Sequence, residues 1–97
     1  MALILSQKIL EKLASKHGVN KDEVEQCLAN RTGKFLRDTR EEHQSNPPTA
    51  WFIAETNFGR LLKIVCILQD KDVFIRTAYP PNEAELHLYK IHGEGNN

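Results

Sequence analysis

The chain is short of the residues that the commonest site chemistries need. It has only two cysteines, Cys27 and Cys66, so no Cys-x-x-Cys pair, and its histidines never fall at His-x-x-x-His spacing. His87 and His92 are five apart, which puts them on different faces of a helix. No metal site is expected, and no cofactor. Glycine is sparse at five residues, and neither Gly-x-x-x-x-Gly-Lys nor another glycine-rich phosphate loop occurs. The serines Ser6, Ser15 and Ser45 lack the nucleophile elbow of a serine hydrolase. Apolar runs such as Ile64 to Leu68 fall far short of the ~20 residues a membrane span requires. Met1 to Leu5 is apolar but has no basic n-region and is closely followed by Lys8, Glu11 and Lys12, so neither a membrane segment nor a targeting signal is read. The two cysteines lie within apolar faces and read as small buried hydrophobes, which fits a reducing, cytoplasmic setting; a disulfide between them is the open alternative.

A cationic surplus is also missing. Thirteen Lys and Arg balance thirteen Asp and Glu, which argues against nucleic-acid binding driven by bulk charge. The balance is uneven along the chain, however: residues 1–40 hold eight basic against five acidic residues, and residues 41–97 hold five against eight. At 97 residues, with 40% hydrophobic and 27% charged side chains, the chain reads as one ordinary globular domain over 1–97.

What is present centres on Trp51 to Tyr79. Three apolar runs rich in β-branched and aromatic residues are separated by turn signals, Asn57 and Gly59 in the first and Gln69 to Asp72 in the second. They predict an antiparallel meander with strands at about 50–57, 60–69 and 72–79. In the middle strand Leu62, Ile64, Cys66 and Leu68 share one face and Leu61, Val65 and Ile67 the other, with Lys63 the only charge. Such a strand needs cover on both faces, which helices must supply. Helical periodicity places Leu5, Ile9, Leu10, Leu13 and Ala14 together, predicting a helix at about 6–17 with Ser6 capping its start and Gly18 ending it. A second helix at about 20–30 opens with an Asn20/Glu23 capping box and a Val19–Val24 staple. A short strand is expected at about 34–38, and Glu41 to Thr49, with Asn46, Pro47 and Pro48, reads as a surface connection that leaves room for a helical turn. After Pro80 and Pro81, Asn82 and Glu85 form a third capping box ahead of a helix at about 82–92, and Gly93 to Asn97 reads as a frayed tail. The fold class is α+β: two N-terminal helices, an antiparallel sheet of three to four strands and a C-terminal helix.

Several side chains are candidates for a site. Arg60 opens the middle strand. Arg76 lies in the third, where strict alternation would group Phe74, Arg76 and Ala78 on one face and Ile75, Thr77 and Tyr79 on the other. An arginine in a half-buried strand needs an internal carboxylate such as Glu55 or Glu85, or an external phosphate. Arg31, Lys34, Arg37 and Arg40 recur every three residues, either to track a phosphate backbone or to keep a sheet edge soluble. His17 suits the last turn of a helix as a cap or as a catalytic imidazole. Tyr79 and Tyr89 suit base stacking, although Tyr89 also has core spacing from Leu86.

The sequence Lys16-His17-Gly18-Val19, followed by Asp22-Glu23, then Gly59-Arg60-Leu61-Leu62, Thr77-Ala78-Tyr79, Glu85 and Tyr89, resembles the BrnT family of small bacterial toxins, with the motifs in the same order over most of the chain. The resemblance implies a RelE-like fold, a metal-independent ribonuclease of a type II toxin–antitoxin system, and an antitoxin as protein partner. On that expectation Glu85 or His17 is the base, Arg60 holds the scissile phosphate together with Arg76, which is added from strand geometry alone, Tyr79 orients a base or donates a proton, and Lys16 and Tyr89 contact RNA. The chain departs from the family pattern in two places. Thr77-Ala78-Tyr79 stands where the family has Ser-Ala-Arg, and Pro80, Pro81 and Asn82 replace basic residues. A non-catalytic protein-binding or regulatory module on the same fold is the competing reading.

Overall fold

The computed structural model describes residues 2–38 and 48–94. The elements run β1 (Ala2–Ile4), α1 (Gln7–His17), α2 (Lys21–Asn30), β2 (Leu36–Arg37), β3 (Thr49–Glu55), β4 (Leu61–Gln69), β5 (Asp72–Tyr79) and α3 (Glu83–His92). Sheet order is β1-β5-β4-β3-β2, antiparallel throughout except that β1 pairs with β5 in parallel. The α+β class and all three helices are as expected, and the sheet is larger than expected: five strands, mixed in direction.

Local hydrogen bonding explains why the helices start where the sequence places them. Ser6 Oγ accepts from Ile9 N at 3.2 Å, and Asn20 and Glu23 exchange both bonds of a capping box, as do Asn82 and Glu85. Gly18 ends α1 at φ +61°, its N–H bonding Ala14 O while Val19 N reaches Leu13 O. Val19, at the bend between the helices, is buried with Leu13, Val24 and Cys27.

The two sheet faces are covered unequally. Phe52 and Ala54 of β3, Leu62, Ile64 and Cys66 of β4, and Val73, Ile75 and Ala78 of β5 form the first face, all buried and six of the eight at 0% exposure. The helices α1 and α2 pack here, and Cys27 Sγ donates to Ala54 O at 3.5 Å. The second face carries Trp51, Ile53, Lys63 and Tyr79, and among the described helices α3 lies on it, with the rings of Tyr89 and Trp51 5.6 Å apart.

The structure corrects the sequence reading at three places. The sequence shows the three-residue strand β1 only as an apolar terminus, because its pairing with β5 is non-local and too short to show a period. The strand expected at about 34–38 contracts to Leu36–Arg37. In β5, strict alternation fails. Val65 pairs with Thr77 and Cys66 with Ile75, leaving Arg76 as the extra residue of a β-bulge. The bulge puts Ile75 and Ala78 on the same buried face, where alternation had separated them. The connection at 39–47, with Arg40, and the tail at 95–97 lie outside the described residues.

Tyr89 closes the second face. Its hydroxyl donates to Lys34 O at 2.8 Å, and Lys34 N donates to Gly93 O at 3.0 Å, so the loop after α2 is latched to the end of α3. A Cβ on Gly33 or Gly93 would overlap the Tyr89 ring or hydroxyl. Gly33→Ala and Gly93→Ala are each expected to lower the unfolding free energy by about 1–3 kcal/mol through overpacking. At Gly18 a Cβ meets nothing within 4 Å, so Gly18→Ala should cost only about 1 kcal/mol, the strain of a left-handed residue. Urea unfolding of the three variants measures this ranking.

Candidate functional site

The only charge in the central strand organises the second face. Lys63 is 5% exposed, and its ammonium is 2.8 Å from Glu85 Oε2 and 4.5 Å from the centre of the Trp51 ring. Glu85 reaches it because the capping box spends Oε1 on Asn82 N and leaves Oε2 for the sheet. Tyr79 Oη donates to the same Oε2 at 3.1 Å, and the His17 ring lies 5.6 Å from the Tyr79 ring. Burial alone would raise the Glu85 pKa. The Lys63 ammonium, the Asn82 N–H and the Tyr79 hydroxyl outweigh it and hold the carboxyl below its ordinary value. A groove of about 490 Å³ borders this cluster, with Leu36, Arg37, Trp51, Leu88 and His92 among its lining residues.

Of the residues expected to act together, Glu85, Tyr79 and His17 are adjacent. Arg60 and Arg76 are not. The turn after β3 is tied by Thr56, whose N–H donates to Arg60 O at 2.9 Å while its Oγ1 accepts from Arg60 N at 3.1 Å, with Gly59 at φ +84°. That geometry sends the Arg60 side chain to the α1–α2 junction. There Nη1 donates to both Glu23 oxygens at 3.1 and 3.0 Å and to Gly18 O at 2.9 Å, and Nη2 donates to His17 O at 3.1 Å. Arg60 therefore clamps the carbonyl end of α1 to the acidic start of α2, a use its position at the head of a strand does not announce. Arg76 is exposed on its bulge in a separate depression beside Ile4, Ile67 and Phe74. The shared phosphate clamp expected of Arg60 and Arg76 is thus not assembled, because one guanidinium is committed internally and the other lies elsewhere on the sheet.

Lys16 is exposed in the last turn of α1. Tyr89 is 2% exposed with its hydroxyl engaged, and burial raises its pKa, so it serves the core. Cys27 and Cys66 are free, buried thiols, pushed up to about 12 mainly by burial; neither is a nucleophile at neutral pH. Sequence reasoning missed Lys63 and Trp51 as site residues. The signal for Lys63 was its solitary charge in an apolar strand. Among the described residues there is no cluster of three or more potential metal ligands, and no helix is long and apolar enough to cross a membrane.

With this geometry in view, the chain was compared with protein-family models and with curated proteins, and neither comparison returns a match.

Removing one partner of the buried pair leaves the other charge uncompensated. Glu85→Gln, which keeps the capping bond but strands the Lys63 ammonium, is expected to cost about 3 kcal/mol. Lys63→Met should cost less, since Asn82 N and Tyr79 Oη still serve Glu85, and the double variant should recover part of the loss in a double-mutant cycle. The folded-state pKa of Glu85 lies below its unfolded value, so the stabilisation is present above about pH 4.5 and is lost as pH falls through the folded value. Denaturant unfolding against pH should show that acid-side loss in the parent chain and a shallower one in Glu85→Gln.

Proposed function

We propose that this chain is a BrnT-like, toxin-related domain of RelE-like architecture that works by binding a protein partner, without cleaving RNA. The observation that carries this reading is the commitment of Arg60. Cleavage without metal needs a cation over the scissile phosphate, and the arginine expected there is spent on Glu23 and the end of α1. The cation within the cluster itself, Lys63, is buried and paired. Glu85, depressed below its ordinary pKa, is a weak general base near neutrality. A helix pair and a C-terminal helix against a sheet with an antiparallel centre support the architecture that the resemblance implies, and two buried free thiols suit a reducing, cytoplasmic setting.

One observation favours the ribonuclease reading: Tyr79 touches both Glu85 and His17, placing a carboxylate, a phenol and an imidazole side by side. Induction of the full chain in bacteria, with growth and bulk RNA followed over time, separates the two. Intact RNA and unimpaired growth are expected, for the parent chain and for Tyr79→Phe alike. Growth arrest with RNA fragments that disappear in a folded Tyr79→Phe or Glu85→Gln variant would replace binding with catalysis.

A further inference from the structure

Helix α3 is tied to the sheet near its two ends and open along both flanks. On one side the groove of about 490 Å³ runs past Trp51, Glu85, Leu88 and His92. On the other, a cleft of about 790 Å³ runs past Ile53, Leu61, Leu86 and Lys90. Eight of the ten residues of α3 are exposed, Glu85 is half-buried, and Tyr89 alone is buried. Helices α1 and α2 are seated differently: Leu13, Val24 and Cys27 are at 0% exposure, and Ile9 and Leu28 pack against the same core. What holds α3 is therefore mostly polar. Glu85 meets Lys63 at 2.8 Å and Tyr79 Oη at 3.1 Å, and the far end is held by Tyr89 Oη on Lys34 O and by Lys34 N on Gly93 O. Each of these groups regains water when the helix leaves, so the bonds fix its direction and add little net energy against release. Pro80 and Pro81, between β5 and α3, carry no N–H, so bending the chain there strips no backbone donor of its acceptor.

We infer that α3 is a hinged cover: it lifts from the second face about Pro80 and Pro81 as one unit, while the rest of the domain stays folded, and uncovers Trp51, Ile53 and the Lys63 ammonium. The first face is untouched by this motion, because Phe52, Leu62, Ile64 and their neighbours are sealed by α1 and α2 and no α3 residue lies among them. Local opening of this kind falls to the element with the least buried apolar surface. While α3 is closed it occupies the indole through Tyr89 and the ammonium through Glu85, so its release is the step that makes both accessible. The motion follows from packing and holds for either reading of the function.

Off the sheet a ten-residue helix is marginal in water, so its amides exchange with solvent on release. Native-state hydrogen exchange of the full chain at low urea therefore tests the cover. The α3 amides should be at least about 100-fold less protected than those of β4, with little dependence on urea, whereas β4 exchange should rise steeply with urea. Val24→Ala should quicken β4 about tenfold or more and leave α3 unchanged, because Val24 is packed alike with the cover closed or lifted. Glu85→Gln should quicken α3 about tenfold or more, because it weakens only the closed state. The cover is overturned if the α3 amides of the parent chain share the protection and urea dependence of β4, a result that needs no variant to fold. It is overturned equally if Val24→Ala quickens α3 as much as β4, if Glu85→Gln leaves α3 unchanged, or if α3 exchanges at the rate of an unfolded peptide and so is never closed.

Discussion

A lysine in the middle of a sheet is the constraint from which the second face follows. An ammonium at 5% exposure is tolerable only with a close counter-charge, and Glu85 is the carboxylate that reaches it. It can do so because α3 begins at Asn82, immediately after Pro80 and Pro81 end β5. One carboxylate thereby joins three tasks: it caps α3 through Oε1, and through Oε2 it holds that helix to β4 and to Tyr79 at the end of β5. Tyr89 adds the second anchor, at the other end of the helix. Between two such anchors the helix is fixed in direction without burying its outer stripe, which is why a groove persists beneath it.

The same economy of charge governs the first face. Glu23 belongs to a capping box and also receives Arg60, so the junction of α1 and α2 is tied both along the chain and across to the β3–β4 turn. At 35% side-chain exposure for Arg60 the ion pair is screened, and its worth lies in geometry more than in energy. Two more hydrogen bonds to the carbonyls of His17 and Gly18 fix the guanidinium plane. Among the described residues, Arg60 and Lys63 are matched by the chain's own acids, and the exposed Arg37 and Arg76 line separate depressions.

The parts of this arrangement that depend on neighbours in sequence were legible before the structure. Helix starts at Ser6, Asn20 and Asn82 follow from side chains bonding backbone three residues away, and the meander follows from turn residues between β-prone runs. What was not legible depends on partners far along the chain. Strand β1 has three residues, too few for periodicity to separate a strand from an apolar end. The bulge at Arg76 carries no sequence mark, yet it decides which β5 residues share a face. Arg60 shows the same limit at the site: its partners lie 37 to 43 residues away, and only the turn built on Thr56 and Gly59 aims it at them. Lys63 was visible as an anomaly, but naming its partner required knowing where α3 comes to rest.

The inequality of the two faces then limits where function can lie. On the first face, α1 and α2 leave the central side chains fully buried and the thiols inert, so that side is committed to stability. On the second, one helix covers part of a sheet whose floor includes an indole and a neutralised ion pair. An ion pair that is already satisfied attracts no substrate, but it keeps the groove open at its base, since neither Lys63 nor Glu85 can collapse into it without losing the other. On the binding reading proposed above, the exposed aliphatic stripe over this floor serves recognition, whereas proton transfer would ask for a carboxylate poised near neutral pH. The depressed Glu85 and the exposed Leu88 are therefore two results of one choice, the placement of a single lysine in β4.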